Sequence, residues 1–143
     1  MGMSASLPDH AKTWLDAAEY ATIATIEPDG RPQLSVVWVE RDGDDLLVST
    51  IEGRRKHANL VRDPRATVLV YPAEAPEAYV EVRGSVTMTR DGGPELINRL
   101  ARQYDGVERF TADDGTDRVR VVVRITPDKV VVRMPPGSAV TPS

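Results

Sequence analysis

The chain has 143 residues, of which 41% are hydrophobic, and it has a formal net charge of −4 and no cysteine. This length predicts a single domain. The absence of cysteine excludes disulfide bonds and thiolate metal sites. No apolar run approaches the ~20 residues of a membrane-spanning helix. The acidic balance argues against a general polyanion binder, and because nothing points outside the cytoplasm we expect a cytoplasmic protein.

Alternating apolar and polar residues between turn signals predict a chain made mainly of β-strands, with three helices. In the long strand that begins at Tyr79, Gly84 interrupts the apolar face and marks a bend, a bulge or a close backbone approach. The run 36–39 is apolar at every position, which suggests burial on both faces. In chain order we predict a helix over 8–17, strands over 20–26, 33–40 and 45–50, a helix over about 54–62, strands over 65–71 and 79–90, a helix opened by 91–94, a strand over 118–125, a turn over 126–129 and a last strand over 130–133.

Six or seven short strands joined by hairpins favour a small antiparallel barrel, here a domain over 7–133 between a flexible leader (1–6) and a flexible tail (134–143). The strands carry apolar residues on both faces. A homodimer that buries one outer face would account for this pattern.

The helix predicted near residue 54 begins with the wrong charge. Arg54, Arg55 and Lys56 occupy its first turn, where the helix dipole already places about half a positive charge. An anion at this helix end, a phosphate above all, would relieve the conflict. By composition alone a solvated basic face is an equally good interpretation. The dipole conflict, with the hydroxyls of Ser49 and Thr50 just before the helix, favours a ligand.

The catalytic inventory is thin. The two histidines, His10 and His57, lie on different predicted helices without metal-ligand spacing, so we expect no metal site. No nucleophile motif or phosphate-binding glycine loop of a known type is present, and no catalytic residue can be named. If the protein is an enzyme, a bound cofactor does the chemistry.

Three stretches together resemble one family. They are 53–65 (GRRKHANLVRDPR), 21–26 (ATIATI) followed by 29–33 (DGRPQ), and 79–84 (YVEVRG). In their order along the chain they resemble the pyridoxamine-phosphate-oxidase-like flavin and deazaflavin reductases, over about residues 8–133. The resemblance implies a homodimeric split β-barrel with its cofactor at the subunit interface.

The resemblance also implies a set of cofactor-binding residues. The ring would be lined, largely through the backbone, by Gln33, Leu34, Ser35, Val36, Val37 and Trp38. The phosphate would be held by Ser49, Thr50, Arg54, Arg55 and Lys56. Tyr79 would approach from the other subunit.

The carboxy-terminal end lacks the arginine-rich segment of true pyridoxamine-phosphate oxidases, which argues against vitamin B6 oxidation. The pattern R-x-K-x-x-N-L-x-x-D-P-R from Arg54 to Arg65 is more similar to the actinobacterial branch that uses the deazaflavin coenzyme F420. We therefore expect an F420-dependent reductase that passes hydride to a small electron-poor organic substrate. The alternatives are an FMN-binding oxidoreductase or flavin carrier of the same fold and, against the acidic charge, a nucleic-acid-binding module.

Overall fold

Seven strands of one antiparallel sheet and three helices make up the fold in a computed structural model, which describes residues 5–134. The predicted fold class, mainly β with a few helices, is confirmed. The elements are α1 (Asp9–Asp16), β1 (Ala21–Ile26), β2 (Pro32–Val37), β3 (Glu40–Asp42), β4 (Asp45–Ile51), α2 (Arg55–Arg62), β5 (Arg65–Val70), β6 (Tyr79–Thr89), α3 (Gly93–Asp105) and β7 (Arg120–Arg133).

The sheet has the order β2-β1-β5-β6-β7-β4-β3, so its two outermost strands are neighbours in the chain. Only Trp38 and Val39 separate β2 from β3. Within residues 5–134 no ladder joins these two strands, which leaves the barrel split at this seam. Tyr104 of α3 fastens the seam, because its hydroxyl accepts a hydrogen bond from the Val39 N–H (3.1 Å) and donates one to the Glu19 carbonyl (2.8 Å).

The two longest strands, β6 and β7, pair along their whole length, with one irregularity. Arg83 pairs with Lys129 and Gly84 with Pro127, so Asp128 is left over as a bulge. The turn predicted over 126–129 is therefore wrong. The turn-forming residues Pro127 and Asp128 lie instead inside the continuous strand β7, where Asp128 is the extra, unpaired residue of the bulge.

Gly84 is required by this bulge. A Cβ atom at Gly84 would lie 2.5 Å from the Thr126 carbonyl oxygen and 2.7 Å from Cγ2 of Ile125. The predicted bulge or close backbone approach at Gly84 is confirmed.

The strand predicted over 33–40 is shorter and more exposed than expected. β2 ends at Val37 and its residues alternate, with Leu34 62% and Val36 69% exposed. The expectation that 36–39 is buried on both faces is therefore wrong for β2. The chain leaves the sheet at Trp38, buries Val39 in the core and re-enters as β3 beside β4.

Two clusters of apolar side chains form the core. The larger lies between α1 and the inner face of the sheet and includes Leu15, Ile23, Val80 and Ile125. The smaller packs α3 on β4 and β7 through Leu47, Leu96, Ile97, Leu100 and Val122. None of the helices in residues 5–134 is long and apolar enough to cross a bilayer.

The predicted leader and tail lie mostly outside the described residues. At the amino-terminal side, the N–H of Ala5 donates a hydrogen bond to the Pro127 carbonyl at 2.8 Å. At the other end, Met134, the first residue of the predicted tail, packs into the larger core.

Substituting Gly84 with alanine tests the bulge. The added Cβ must displace the backbone of β7, so we expect a loss of about 1–3 kcal/mol in the free energy of unfolding, measured by urea denaturation. Thr87→Ala, on the same strand with an exposed side chain, serves as the control and is expected to change stability little. Equal stability of Gly84→Ala and the wild type would contradict the close approach.

Candidate functional site

A cavity of about 220 Å³ lies where the end of β2, the middle of β4 and the start of α2 meet α3 and the beginning of β7. It brings together predicted site residues from three separate stretches of sequence and adds four that were not predicted. The predicted ones are Val36, Val37, Trp38, Ser49, Arg54 and Lys56, and the added ones are Ile97, Leu100, Phe110 and Arg120.

The start of α2 carries the charge that the sequence indicated. Arg54 precedes the helix in an extended conformation and provides no side-chain cap, and no acidic residue occupies the first turn. Two side chains compensate part of this charge: His57 Nδ1 accepts a hydrogen bond from the Gly53 N–H at 3.1 Å, and the Glu27 carboxylate pairs with Arg55. The remaining N–H groups of the first turn and the cations are suited to an anion.

The cations of this helix start fall into two groups. Arg55 points away from the cavity and pairs with Glu27, with Nη1 3.0 Å from Oε1. Arg54 and Lys56 line the cavity, and within residues 5–134 no carboxylate forms an ion pair with either of them. The pKa of Lys56 is lowered, first by burial and then by the charge of Arg54. The cavity therefore holds two cations with which no carboxylate of residues 5–134 forms an ion pair.

Other predicted site residues lie outside this cavity. On β2, Leu34 faces outward, whereas Gln33 and Ser35 face inward. The Ser35 hydroxyl is buried and has no hydrogen-bond partner among residues 5–134. Thr50 is buried beside Ser49, and Tyr79 is half-buried at the beginning of β6.

Arg120 is the functional candidate that the sequence did not reveal. Its side chain is only 11% exposed and forms a double ion pair with Asp113, with Nε 2.7 Å and Nη2 3.1 Å from the two carboxylate oxygens. This pairing, reinforced by Arg118, lowers the pKa of Asp113. The guanidinium carbon lies 4.9 Å from the centroid of the Phe110 ring, and Nη1 reaches Ser49 Oγ at 3.4 Å.

Aromatic side chains form a second, apolar part of the cavity wall. The Trp38 ring stacks on Tyr104 with a centroid distance of 5.4 Å and an interplanar angle of 13°. Phe110 meets Trp38 edge-on at 6.4 Å. One cavity thus offers both cations and flat apolar surfaces, which suits a ligand that has an anionic group and an apolar part.

A buried hydrogen-bond chain fixes α2 to the sheet. Asn59, 1% exposed, donates from Nδ2 to Thr25 Oγ1 at 3.1 Å, and Thr25 donates to Gln33 Oε1 at 2.9 Å. Arg62, at the end of the helix, donates to the Ile26 carbonyl. These bonds tie α2 to β1 and β2, and so fix where Arg54 and Lys56 point.

Comparison with known proteins identifies the family. The family model described as pyridoxamine 5'-phosphate oxidase matches residues 7–133. The chain belongs to the pyridoxamine 5'-phosphate oxidase family. This confirms the resemblance seen in the motifs and places the chain in a family of flavin and deazaflavin oxidoreductases.

Solved structures share the fold. One titled an F420 reductase is 28% identical with a TM-score of 0.77, and the match covers 87% of this chain and 98% of that one. A conserved hypothetical protein of Mycobacterium tuberculosis is 21% identical with a TM-score of 0.69, covering 97% of each chain. An FMN-binding protein related to pyridoxamine 5'-phosphate oxidase, from Nostoc punctiforme, is 16% identical with a TM-score of 0.61, covering 90% of this chain and 86% of that one. The last two show the fold alone.

Asn59→Ala tests whether the buried chain holds α2 in place. Removing the amide leaves Thr25 without one of its partners in a dry environment, so we expect a loss of about 1–3 kcal/mol in the free energy of unfolding. Chemical denaturation measures this loss. Gln103→Ala, which truncates an exposed amide on α3, is the matched control and is expected to be nearly neutral. A similar small loss for both variants would contradict the anchoring role of Asn59.

Lys56→Met tests the electrostatic conflict in the ligand-free protein. Because burial lowers the pKa of Lys56 below its ordinary 10.5, its charged form costs stability at every pH below that lowered pKa. Methionine keeps the aliphatic stem without the charge, so we expect a higher melting temperature near neutral pH. The advantage should shrink as the pH rises towards 10.5, because the wild-type lysine then loses its proton on folding.

The control for this experiment is Lys129→Met, at an exposed lysine of β7. It is expected to give no comparable gain. An advantage for Lys56→Met that grows with pH would show that the conflict is absent.

Proposed function

We propose that this protein is a coenzyme F420-dependent reductase that transfers hydride from the reduced deazaflavin to a small electron-poor organic substrate. The observation that carries the proposal is the cavity beside the end of β2 in which Ser49, Arg54 and Lys56 converge, with no carboxylate of the described chain (5–134) paired to either cation. The 28% identity to a structure titled an F420 reductase, over 98% of that chain, supports the deazaflavin over other cofactors.

The residues present fit the anionic tail of such a cofactor. In this proposal Arg54 and Lys56 donate charge-assisted hydrogen bonds to a phosphate, and Ser49 donates a third. Thr50, buried next to Ser49, shapes this end of β4. Arg55, held by Glu27, contributes to the positive field of the helix start without direct contact.

The stretch from Gln33 to Trp38 is proposed to lie along the ring. β2 is an outermost strand of the sheet, and β1 is its one hydrogen-bonded neighbour in the described chain. Half of its backbone N–H and C=O groups therefore point away from β1 and are available to a ligand. Backbone groups of a paired strand are rigid, so they can orient a planar ring without a large entropy cost.

When bound, the deazaflavin supplies a two-electron hydride donor that avoids one-electron oxygen chemistry. The protein then has three tasks: to hold the tail, to orient the ring and to exclude water from the reacting face. For the last of these, Trp38 and Phe110 provide apolar surface at the cavity end of β2, and a second subunit would cover the rest of the ring. No side chain is needed as a nucleophile, which agrees with the lack of a nucleophile motif in the sequence.

We further propose that the protein works as a homodimer, with Tyr79 reaching the cofactor of the other subunit. The exposed apolar side chains of Leu34 and Val36 support this part of the proposal. A second subunit would cover them and complete the site at the outer face of β2.

An FMN-binding oxidoreductase or flavin carrier is the second candidate. The same cavity would hold the phosphate of FMN, and a protein titled as FMN-binding shares the fold. A nucleic-acid-binding module is a weaker candidate, because the net charge is −4 and aromatic residues make up only 5% of the chain, which leaves few stacking platforms.

Titration of the purified protein with F420 and with FMN, followed by fluorescence and calorimetry, separates the candidates. We expect F420 to bind more tightly, and Lys56→Ala to weaken its binding by about 1–3 kcal/mol through loss of a charged hydrogen bond. Lys129→Ala, which removes an exposed lysine on β7, should leave the affinity unchanged.

Two outcomes would count against this proposal. Tight FMN binding without any response to F420 would eliminate the deazaflavin and leave the second candidate. A Lys56→Ala variant that binds the cofactor as tightly as the wild type, whatever its stability, would eliminate the phosphate site at α2.

A further inference from the structure

We propose that Arg120 is a third cationic ligand of the bound anion, held in position by Asp113, and that the cavity, in which Arg54 and Lys56 have no counterion among residues 5–134, selects ligands whose anionic part carries at least two negative charges. This inference deepens the proposed function and rests on it for the flavin-type ligands. For a simple inorganic anion, the inference does not depend on the proposed function.

The geometry of the guanidinium group carries the proposal. Asp113 occupies two of its nitrogens, Nε and Nη2, at 2.7 and 3.1 Å. The third, Nη1, has only the long contact of 3.4 Å to Ser49 Oγ. A guanidinium has five N–H donors in a planar fork, so the hydrogens of Nη1 remain available on the side of Ser49, where the cavity lies.

The surroundings restrict the side chain to this orientation. The Phe110 ring covers the guanidinium plane at 4.9 Å, and the side chain is only 11% exposed. An arginine that is fixed on one side by a carboxylate and on its face by an aromatic ring loses little further freedom when it binds a ligand. Asp113 is therefore a positioning residue for Arg120.

The charge balance of the cavity gives the class of ligand. Arg54, Lys56 and Arg120 line it, and Asp113 beside it pairs with Arg120. Two positive charges therefore remain without a protein counterion among residues 5–134. A ligand group with two or more negative charges matches them, whereas a neutral or singly charged group leaves at least one positive charge without a counterion.

Two kinds of tail share this chemistry. One is a terminal phosphate monoester, as in FMN, and the other is a phosphodiester followed by carboxylates, as in F420. Both present oxyanions to a fork of N–H donors, and arginine is the side chain best matched to such groups.

The alternative is that Arg120 only fastens the segment before β7 through Asp113. The neighbouring arginine provides a matched control for this alternative. Arg118 also pairs with Asp113, at 3.4 Å, but its side chain is 40% exposed, and it lines the neighbouring cavity together with Arg109 and Asp114. A purely structural role of Arg120 would make Arg120→Gln weaken ligands with and without an anionic tail equally, whereas Arg118→Gln shows how much the loss of an arginine beside Asp113 changes binding by itself.

The experiment compares ligands with and without the anionic tail. Binding constants are measured for FMN against riboflavin, for F420 against its phosphate-free deazaflavin nucleoside, and for inorganic pyrophosphate, with the wild type, Arg120→Gln and Arg118→Gln. We expect Arg120→Gln to weaken binding of FMN or F420, and of pyrophosphate, by about 10- to 100-fold, the range of one charged hydrogen bond. Riboflavin, the nucleoside and every ligand of Arg118→Gln should change less than about twofold.

Arg120→Lys keeps the inference testable if the glutamine variant does not fold. Lysine keeps the charge, but its single ammonium group cannot serve Asp113 and a ligand in the bidentate manner. We expect this variant to fold and to bind the tailed ligands more weakly than the wild type, with unchanged binding of riboflavin.

The outcomes separate this inference from the proposed function. If no flavin or deazaflavin binds but pyrophosphate binding falls in Arg120→Gln, the proposed function fails and the anion role of Arg120 stands. If the cofactors bind and Arg120→Gln weakens tailed and tail-free ligands equally, or none of them, the role of Arg120 is overturned and the proposed function stands.

Discussion

The candidate site depends on the curling of one sheet until its ends approach each other. β2 is the first strand in the sheet order and β4 is next to the last, yet Val36 and Ser49 line the same cavity. The long β6–β7 ladder, with its bulge at Asp128, curves the sheet. The Tyr104 hydroxyl holds the gap between β2 and β3 by a hydrogen bond from the Val39 N–H. A change that flattens the ladder would separate the backbone of β2 from the hydroxyl of Ser49.

Within this frame, electrostatics assigns different roles to residues that look equivalent in sequence. Arg54, Arg55 and Lys56 are consecutive, but the helical turn at the start of α2 directs Arg55 to Glu27 and leaves the other two at the cavity. The cation that joins them there, Arg120, comes from the far end of the chain. In the proposed function a bound anion would recover the stability lost by placing these like charges together, which is a common compromise at binding sites.

Local patterns were sufficient to predict most of the fold. Alternation located the strands, and the resemblance of three motifs indicated the family, which the match over residues 7–133 confirms. The errors occurred where tertiary context overrides a local signal: the apolar run 36–39 lies partly on an exposed outermost strand, and the turn signal at 126–129 is absorbed by a bulge. Arg120 could not be predicted, because its partner Asp113 lies in an irregular loop and Ser49 is 71 positions away.

The size of the cavity indicates how a larger ligand would be shared between surfaces. At about 220 Å³, it is smaller than the roughly 300–1,000 Å³ typical of sites that enclose a drug-sized molecule. We therefore expect it to take the anionic tail, while a tricyclic ring extends along β2 past Val36 and Leu34, which are exposed in the single chain. A ring on such a surface would remain wet on one face, and hydride transfer is favoured where water is excluded. The proposed second subunit would supply that cover, so tail binding and ring enclosure would be separable steps, the first set by the cations of one chain and the second by dimerisation.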